Sequence, residues 1–313
     1  DPDAAQLGPA LLAAGASSVS VLSWDDPGVD WSSFDLVFVS GTWDSVDRPD
    51  EYLAWTRAVG ATTRLVNPPD VLAWNLDKGY LRDLEAAGLP VVPTTWIRPL
   101  DPLPPLPSGE LVVKPAVSAG GRETAWYSAS SAGAAVAHIA ALQSSGATVM
   151  VQEHVAGVAS VGEVKSVYLG GVPSHAARVG GLLDRDAGTM ERPWEKPVPV
   201  SAVTPSSVER VVGDAVVAEL ARRFAVPPVY ARVDLVLDGA GAPQILEVEL
   251  ALTRIPSPWI VQETERVADL TRFLAALDES ARAWPFTVGW IDCLAGGRDL
   301  GRGSDESCSG DGQ

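Results

Sequence analysis

Cysteine, histidine and positive charge are all scarce in this chain, and each shortage narrows what it does. There are two cysteines in 313 residues, Cys293 and Cys308. They lie near or in the C-terminal tail without metal-ligand or redox-motif spacing, which points to a reducing, cytoplasmic setting. The three histidines, His138, His154 and His175, do not pair at ligand spacing, which speaks against a histidine-based metal-dependent hydrolase. Only 23 Lys and Arg stand against 40 Asp and Glu, a formal net charge of −17. Duplex nucleic acid and anionic lipid both demand a basic footprint, so neither is the expected partner. No apolar run reaches about 18 residues, and the N-terminus has neither the basic start nor the apolar core of a signal peptide. A soluble protein is expected. The chain begins at Asp1 and runs straight into a helical pattern, so a strand is expected to precede it. Two phosphate-binding signatures are missing as well: no G-x-x-x-x-G-K-[ST] occurs, and no G-x-G-x-x-G follows the first strand.

At 46% hydrophobic content, the chain is long enough for two or three packed layers or lobes. An acidic chain that binds phosphates must concentrate its few cations, so lysines in apolar strands or at helix starts become informative. The most informative stretch is 229–250, VYARVDLVLDGAGAPQILEVEL. Two β-rich runs flank Asp238-Gly239-Ala240-Gly241, a turn signal. Residues i and i+2 of a strand share a face, so Arg232 and Asp234 point together, as do Glu247 and Glu249. Three carboxylates and a guanidinium then converge, and hard oxygen ligands held this closely suit Mg²⁺, because like charges repel unless a cation sits among them. A hairpin with a polar outer face is the plain alternative, and this segment alone leaves both open.

Taken in order, residues 4–14 predict a helix stopping at Gly15, SVSVLS (18–23) a strand, and FDLVFVS (34–40) a second strand ending in Gly41-Thr42-Trp43-Asp44. With the helix DEYLAWTRAVG (50–60) and the short strand of RLVNPPD (64–70), this makes a small N-terminal α/β lobe with a parallel sheet. Ligands of such sheets bind beyond the carboxyl ends of strands, which makes Trp43 and Asp44 candidates for substrate contact, with ordinary packing the alternative for the indole. Asn75-Leu76-Asp77-Lys78 opens an amphipathic helix ending at Gly88, followed by the strand LPVVPTTWI and a Pro-rich linker, 98–109. LVVKPAVSAGGRET (111–124) places Lys114 inside a hydrophobic strand, where an unpaired ammonium is costly unless an anion is near. The small-residue loop after it, Ser118-Ala119-Gly120-Gly121, lets backbone N–H groups approach a phosphate, although a simple turn reads the same way. A helix over 128–144, the strand TVMVQEHV (148–155), a hairpin over 161–181 turning at Gly170-Gly171, and an irregular, mobile loop over 182–202 follow. Ser206 and Glu209 form a capping box for a helix reaching about Phe224. A last helix is expected over about 260–284, with an apolar stripe through Val267, Leu270, Phe273 and Leu274. The tail from Gly296 reads as disordered.

The order Lys78, Lys114 with its small-residue loop, Gln152-Glu153, Arg232-x-Asp234 and Glu247-x-Glu249 resembles the ATP-grasp superfamily of carboxylate-activating ligases, over roughly residues 70–280. WNLDKGYLRDLEAAGLPVVPT, LVVKPAVSAGGRET and the upstream GTWD are most similar to the branch of cycloserine-forming O-ureidoserine cyclo-ligases, an antibiotic-biosynthesis branch. The resemblance implies an α/β fold in which an N-terminal lobe (1–69) precedes two α+β subdomains (70–147 and 148–292) that clasp ATP, with a disordered tail (293–313). It makes Lys78 and Lys114 the phosphate-binding lysines and Ser118 to Arg122, through Gly120 and Gly121, the loop closing over the triphosphate. Gln152, Glu153 and Val155 match the adenine-reading strand, and Glu163 a ribose-binding carboxylate. Asp234, Glu247 and Glu249 match the Mg²⁺ ligands, although many relatives carry Asn in place of Glu249. Arg232 matches the arginine that stabilises charge as a carboxylate attacks the γ-phosphate, and Arg178 is a candidate for substrate carboxylate or phosphate. Arg185, Arg192 and Lys196 have no clear correspondent, and ALTRIPSPWI after Glu249 departs from the branch's E-P-S continuation, which puts the substrate in question more than ATP use.

The function these residues imply is an ADP-forming ligase with ATP and Mg²⁺ as cofactors. A small amino-acid-like carboxylate or ester carbonyl becomes an acyl phosphate and is attacked by an amine-type nucleophile, from a second substrate or from the same O-ureidoserine-like molecule. A nucleotide-binding regulatory module without catalysis is the alternative, against which the retention of Arg232 and all three carboxylates speaks. The oligomeric state stays open, a homodimer included.

Overall fold

Residues 2–189, 196–250, 261–267, 286–291 and 303–309 are described by a computed structural model, which gives side chains for 7–42, 44–189 and 196–250. The N-terminal part follows the expected parallel pattern at reduced size. After α1 (Pro2–Ala13), β1 (Leu36–Phe38) pairs in parallel with β2 (Arg64–Val66), and α2 (Pro49–Thr62) makes the crossover. Trp24, Val37, Val39, Tyr52, Val59, Leu65 and Leu72 form its core. The expected strand at 18–23 is not there: the segment joins no ladder among the described strands, and Val21 and Leu22 are exposed. Alternation supplied the β pattern, but the segment buries no apolar face that would hold it against a neighbouring strand.

A second correction concerns the stretch around Lys78. Instead of opening one helix, Asn75 and Leu76 end α3 (Pro69–Leu76), and α4 (Tyr80–Ala86) begins after Gly79. The Asp77 carboxylate accepts the Gly79 N–H at 2.7 Å, and the Lys78 N–H donates to the Ala116 carbonyl at 2.9 Å. A short acidic side chain thus competes with the helix ladder and turns the lysine away from it.

β3 (Thr94–Ile97), β4 (Leu111–Pro115), β5 (Ala125–Tyr127) and β6 (Val149–Glu153) form an antiparallel sheet in the order β3-β6-β4-β5. α5 (Ala132–Ser144) buries Ala135, Ile139 and Leu142 against Ile97, Val113, Val149 and Val151. The Pro-rich 98–109 carries no regular element, and Leu100 is 97% exposed.

After the short α6 (Ala156–Ser160) comes the sheet that carries the site. β7 (Glu163–Leu169), β8 (Val172–Val179), β9 (Val200–Ala202), β10 (Tyr230–Leu237) and β11 (Pro243–Glu249) run antiparallel in the order β11-β10-β7-β8-β9. Gly170 and Gly171, at φ 58° and 82°, make the two-residue turn that the strand twist prefers and that side chains disfavour. α7 (Ser207–Phe224) starts at the expected capping box and lays Val216, Val217 and Leu220 on Tyr168, Ala231, Val233 and Leu235. Each such side chain contributes roughly 1.5–3 kcal/mol on full burial, which fixes that face of the sheet inward and turns the other face toward the site.

β12 (Val261–Val267), β13 (Phe286–Ile291) and β14 (Gly303–Ser309) form a three-stranded antiparallel sheet with β14 in the middle. Both expectations for this region are corrected where it is described: residues 261–267 are strand, not helix, and 303–309 are paired, not a disordered tail. VQETERV alternates as well as it spirals, and GSDESCS has no strand signature of its own; its pairing comes from the backbone of two neighbours. Leu270, Phe273 and Leu274 lie outside the described residues.

Candidate active site

On β10 and β11 the register puts Arg232 opposite Glu249 and Asp234 opposite Glu247, with a shift of register after Asp234. Asp234 is fully buried. Its Oδ1 accepts from Arg232 Nε at 2.7 Å, and its Oδ2 accepts from Arg232 Nη2 at 2.8 Å and from Lys165 Nζ at 2.6 Å. Arg232 Nη1 stands 2.6 Å from Glu249 Oε2. On the other side of β10, Lys165 of β7 is in register with Asp234 and also lies 2.9 Å from Glu163 Oε2. A single sheet face thus carries Glu163, Lys165, Arg232, Asp234, Glu247 and Glu249.

Three residues from earlier in the chain hold this hairpin in place. Tyr80 Oη accepts the Val248 N–H and donates to the Val248 carbonyl, each at 2.8 Å. Asn75 donates to that same carbonyl and accepts the Leu250 N–H, again at 2.8 Å. Asn67 donates to the Tyr230 and Leu250 carbonyls and accepts the Val229 N–H. Between Asn75 and Tyr80 stands Lys78, whose Nζ reaches Glu247 Oε1 at 3.1 Å, the Ser118 carbonyl at 2.5 Å and Ser118 Oγ at 3.3 Å. One ammonium therefore joins the carboxylate face to the small-residue loop, where Gly120 and Gly121 adopt φ 61° and 79°. The ammonium of Lys114, buried on β4, has no hydrogen bond or ion pair among the described residues.

The electrostatics follow from this arrangement. Burial alone would raise the Asp234 carboxyl, but the Arg232 and Lys165 cations outweigh it and hold it down to about 2. Burial likewise works against Glu247, and Lys78 lowers it below the usual carboxylate range. Lys165 is raised: Asp234 and Glu163 outweigh its burial. Lys114 is pulled down to about 8 by burial, with Glu247 opposing and Lys78 assisting. The sequence reading expected carboxylates repelling one another; each of the four instead has a cation beside it. Among the described residues no three Asp, Glu, His or Cys side chains gather at metal-holding spacing. The carboxylate donors are nonetheless all oxygen, the chemistry that a hard cation such as Mg²⁺ takes.

The remaining candidates divide. Gln152 is buried and donates to Thr94 Oγ1 at 2.8 Å, Glu153 is exposed at the end of β6, and Val155 caps α6. Arg122 reaches back to the N-terminal lobe, its Nη1 2.8 Å from Asp47 Oδ2. Asp44 is occupied by the Trp24 indole N–H at 2.9 Å and by Arg48, and the Trp43 side chain lies outside those described. Arg178 faces Val164, on the face opposite Lys165, and donates to the Val161 carbonyl at 3.3 Å, so it is not brought to the cluster. The 182–202 loop is anchored rather than free where described: Arg185 pairs with Glu110 at 2.8 Å and bridges to Trp126, while Lys196 holds Leu182 and Asp184. Arg192 lies outside the described residues. Sequence reading missed Lys165, which the i, i+2 spacing from Glu163 pointed to, and Asn67, Asn75 and Tyr80, which no local signal marks.

The cycloserine biosynthesis protein DcsG of Streptomyces lavendulae is 35% identical to this chain over 248 residues, 74% of this chain and 81% of that protein. The chain belongs to the DcsG family. The family model for the N-terminal domain of D-cycloserine synthetase DcsG matches residues 1–67. A crystal structure of D-cycloserine synthetase DcsG matches with a TM-score of 0.71 at 33% identity, covering 80% of this chain and 86% of that one. The ATP-grasp ligase PsnB, complexed with a phosphomimetic variant of its minimal precursor, Mg and ADP, shares the fold at a TM-score of 0.52 and 18% identity, over 80% of this chain and 87% of that one. As a DcsG-family member this chain has the ATP-grasp fold and is an ATP-dependent ligase. The alternative of a regulatory nucleotide-binding module has no support among these relatives. No helix among the described residues is long and apolar enough to cross a membrane.

Proposed function

We propose that this ligase activates the carboxyl group of a small amino-acid-like substrate, an O-ureidoserine, and closes it to cycloserine within one molecule. A carboxylate oxygen attacks the γ-phosphorus of ATP and ADP leaves; the oxygen-linked ureido nitrogen then displaces phosphate from the acyl phosphate with loss of its proton, and water cleaves the carbamoyl group from the ring nitrogen, giving cycloserine, carbon dioxide and ammonia. Lys78 and Lys114 bind the phosphates, and backbone N–H groups of Ser118 to Arg122 close over them. Gln152, Glu153 and Val155 line the adenine, and Glu163 takes the ribose. Arg232 stabilises the charge developing on the transferred group. Asp234, Glu247 and Glu249 are the residues that would hold Mg²⁺, which would supply positive charge to offset that of the phosphates. Trp43 and Asp44 close the substrate side. On the domain scale, residues 1–69 form the substrate lobe, and 70–147 and 148–292 the two halves of the ATP clasp.

The observation that carries this reading is Lys114: a buried ammonium without a hydrogen-bonded partner, next to Lys78 and a glycine loop, carries a desolvation cost that a bound anion would offset. The test is ADP release with single amino acids, then pairs, then O-ureidoserine. Release with O-ureidoserine alone is expected. A requirement for an added amine would show a two-substrate ligase, and no release above background with any of them would overturn the substrate assignment.

A further inference from the structure

We propose that Lys165 is a resident counter-cation at the metal position, which must give up Asp234 before a divalent ion is bound and so sets the affinity for that ion. The inference rests on the proposed metal-ligand role of Asp234, Glu247 and Glu249. Its observations are geometric. Both oxygens of Asp234 are taken, Oδ1 by Arg232 and Oδ2 by Arg232 and Lys165 together. Arg232 belongs to the same strand and spans Asp234 and Glu249, so its fork is fixed by i, i+2 geometry. Lys165 approaches from the neighbouring strand on a flexible four-carbon stem and has a second carboxylate, Glu163, 2.9 Å away. Of the two cations it is the one on a flexible stem from another strand, with its second carboxylate already in contact. Moving Nζ fully onto Glu163 removes one of the two donors on Asp234 Oδ2 and leaves Arg232 in place, without opening the hairpin.

The physical consequence has a sign. An ammonium and a divalent cation at a shared carboxylate repel, so the lysine lowers metal affinity. In the metal-free protein the same ammonium keeps two carboxylates from repelling each other, so its loss destabilises that state. A merely structural lysine has only the second effect, and a lysine that binds phosphate shifts nucleotide affinity instead.

The experiment is Mn²⁺ binding followed by electron paramagnetic resonance, with a non-hydrolysable ATP analogue present, and melting temperatures with and without the ion. The proteins are the wild type, Lys165→Met, Lys165→Arg and Glu247→Gln. Lys165→Met is expected to bind Mn²⁺ about tenfold tighter, equivalent to about 1.4 kcal/mol, and to melt lower without metal but regain the wild-type value with it. Lys165→Arg, which keeps the charge, is expected to stay within about twofold of wild type and serves if the Met variant fails to fold, since a looser Arg variant still keeps the competition. Unchanged or weaker Mn²⁺ binding in Lys165→Met, or an Arg variant that binds tighter than wild type, overturns the proposal. Failure of the underlying site reading is distinguishable, because Glu247→Gln would then bind Mn²⁺ as the wild type does.

Discussion

Lys78 and Glu247 meet at 3.1 Å, the lysine from the break between α3 and α4 and the glutamate from β11. The same Nζ is bonded to the Ser118 carbonyl, so the carboxylate face and the glycine loop share one cation. This pairing reverses an expectation from sequence. With only carboxylates in view, neutralising Glu247 would relieve repulsion; with Lys78 in place, it strips a largely buried ammonium of its counter-charge.

Glu247→Gln is therefore expected to lower the melting temperature of the metal-free protein by about 2–4 °C, the shift that roughly 1 kcal/mol produces in a domain of this size. Turnover should fall on the order of 10²-fold, the scale on which a lost transition-state contact is felt. Calorimetry and an ADP-release assay check both, and a rise in melting temperature would contradict the pairing.

Lys114 predicts a pH dependence. Its folded value of about 8 lies below the unfolded range near 10.4, so between the two the unfolded chain binds more protons. Below pH 8 the full cost, about 3 kcal/mol, is present, and it vanishes as pH rises through about 10. Urea unfolding of the wild type at pH 7.5 and 9.5 should show stability rising relative to Lys114→Met, which lacks the group. The Met variant should also be the more stable at pH 7.5 and the weaker nucleotide binder.

Tyr80→Phe removes the hydroxyl that both accepts the Val248 N–H and donates to its carbonyl. The carbonyl keeps Asn75, but the N–H is left without that partner inside the protein, a loss of about 1–3 kcal/mol. Equilibrium unfolding measures it. A variant as stable as wild type would mean that β11 is not pinned at this point.

Arg122 and Asp47 form a half-exposed pair, with about a third and a half of the two side chains accessible to water. Such pairs contribute about 0–1 kcal/mol, so Asp47→Asn should leave the melting temperature unchanged. Its expected effect is local: faster proteolysis within the 118–123 loop, which loses the Asp47 contact to the N-terminal lobe. Equal cleavage rates in the two proteins would remove that tie.

Much of this was written in the sequence because it depends on neighbours along the chain. The i, i+2 rule alone put Arg232 with Asp234 and Glu247 with Glu249, Gly170-Gly171 located a hairpin turn, and Ser206 with Glu209 located a helix start. The order of two lysines, a small-residue loop and paired carboxylates was enough to point to the ATP-grasp fold. What the sequence could not carry was set by contacts between distant segments. The strand expected at 18–23 found no apolar surface to bury its alternating side chains against, and the helix expected to open at Asn75 begins only after Gly79, because Asp77 bonds to Gly79 and Lys78 turns to Ala116. The carboxylates are not a bare anionic cluster, because Lys78 and Lys165 arrive from other elements; charge balance in a buried site is a sum over everything packed there, and only the tertiary structure performs it.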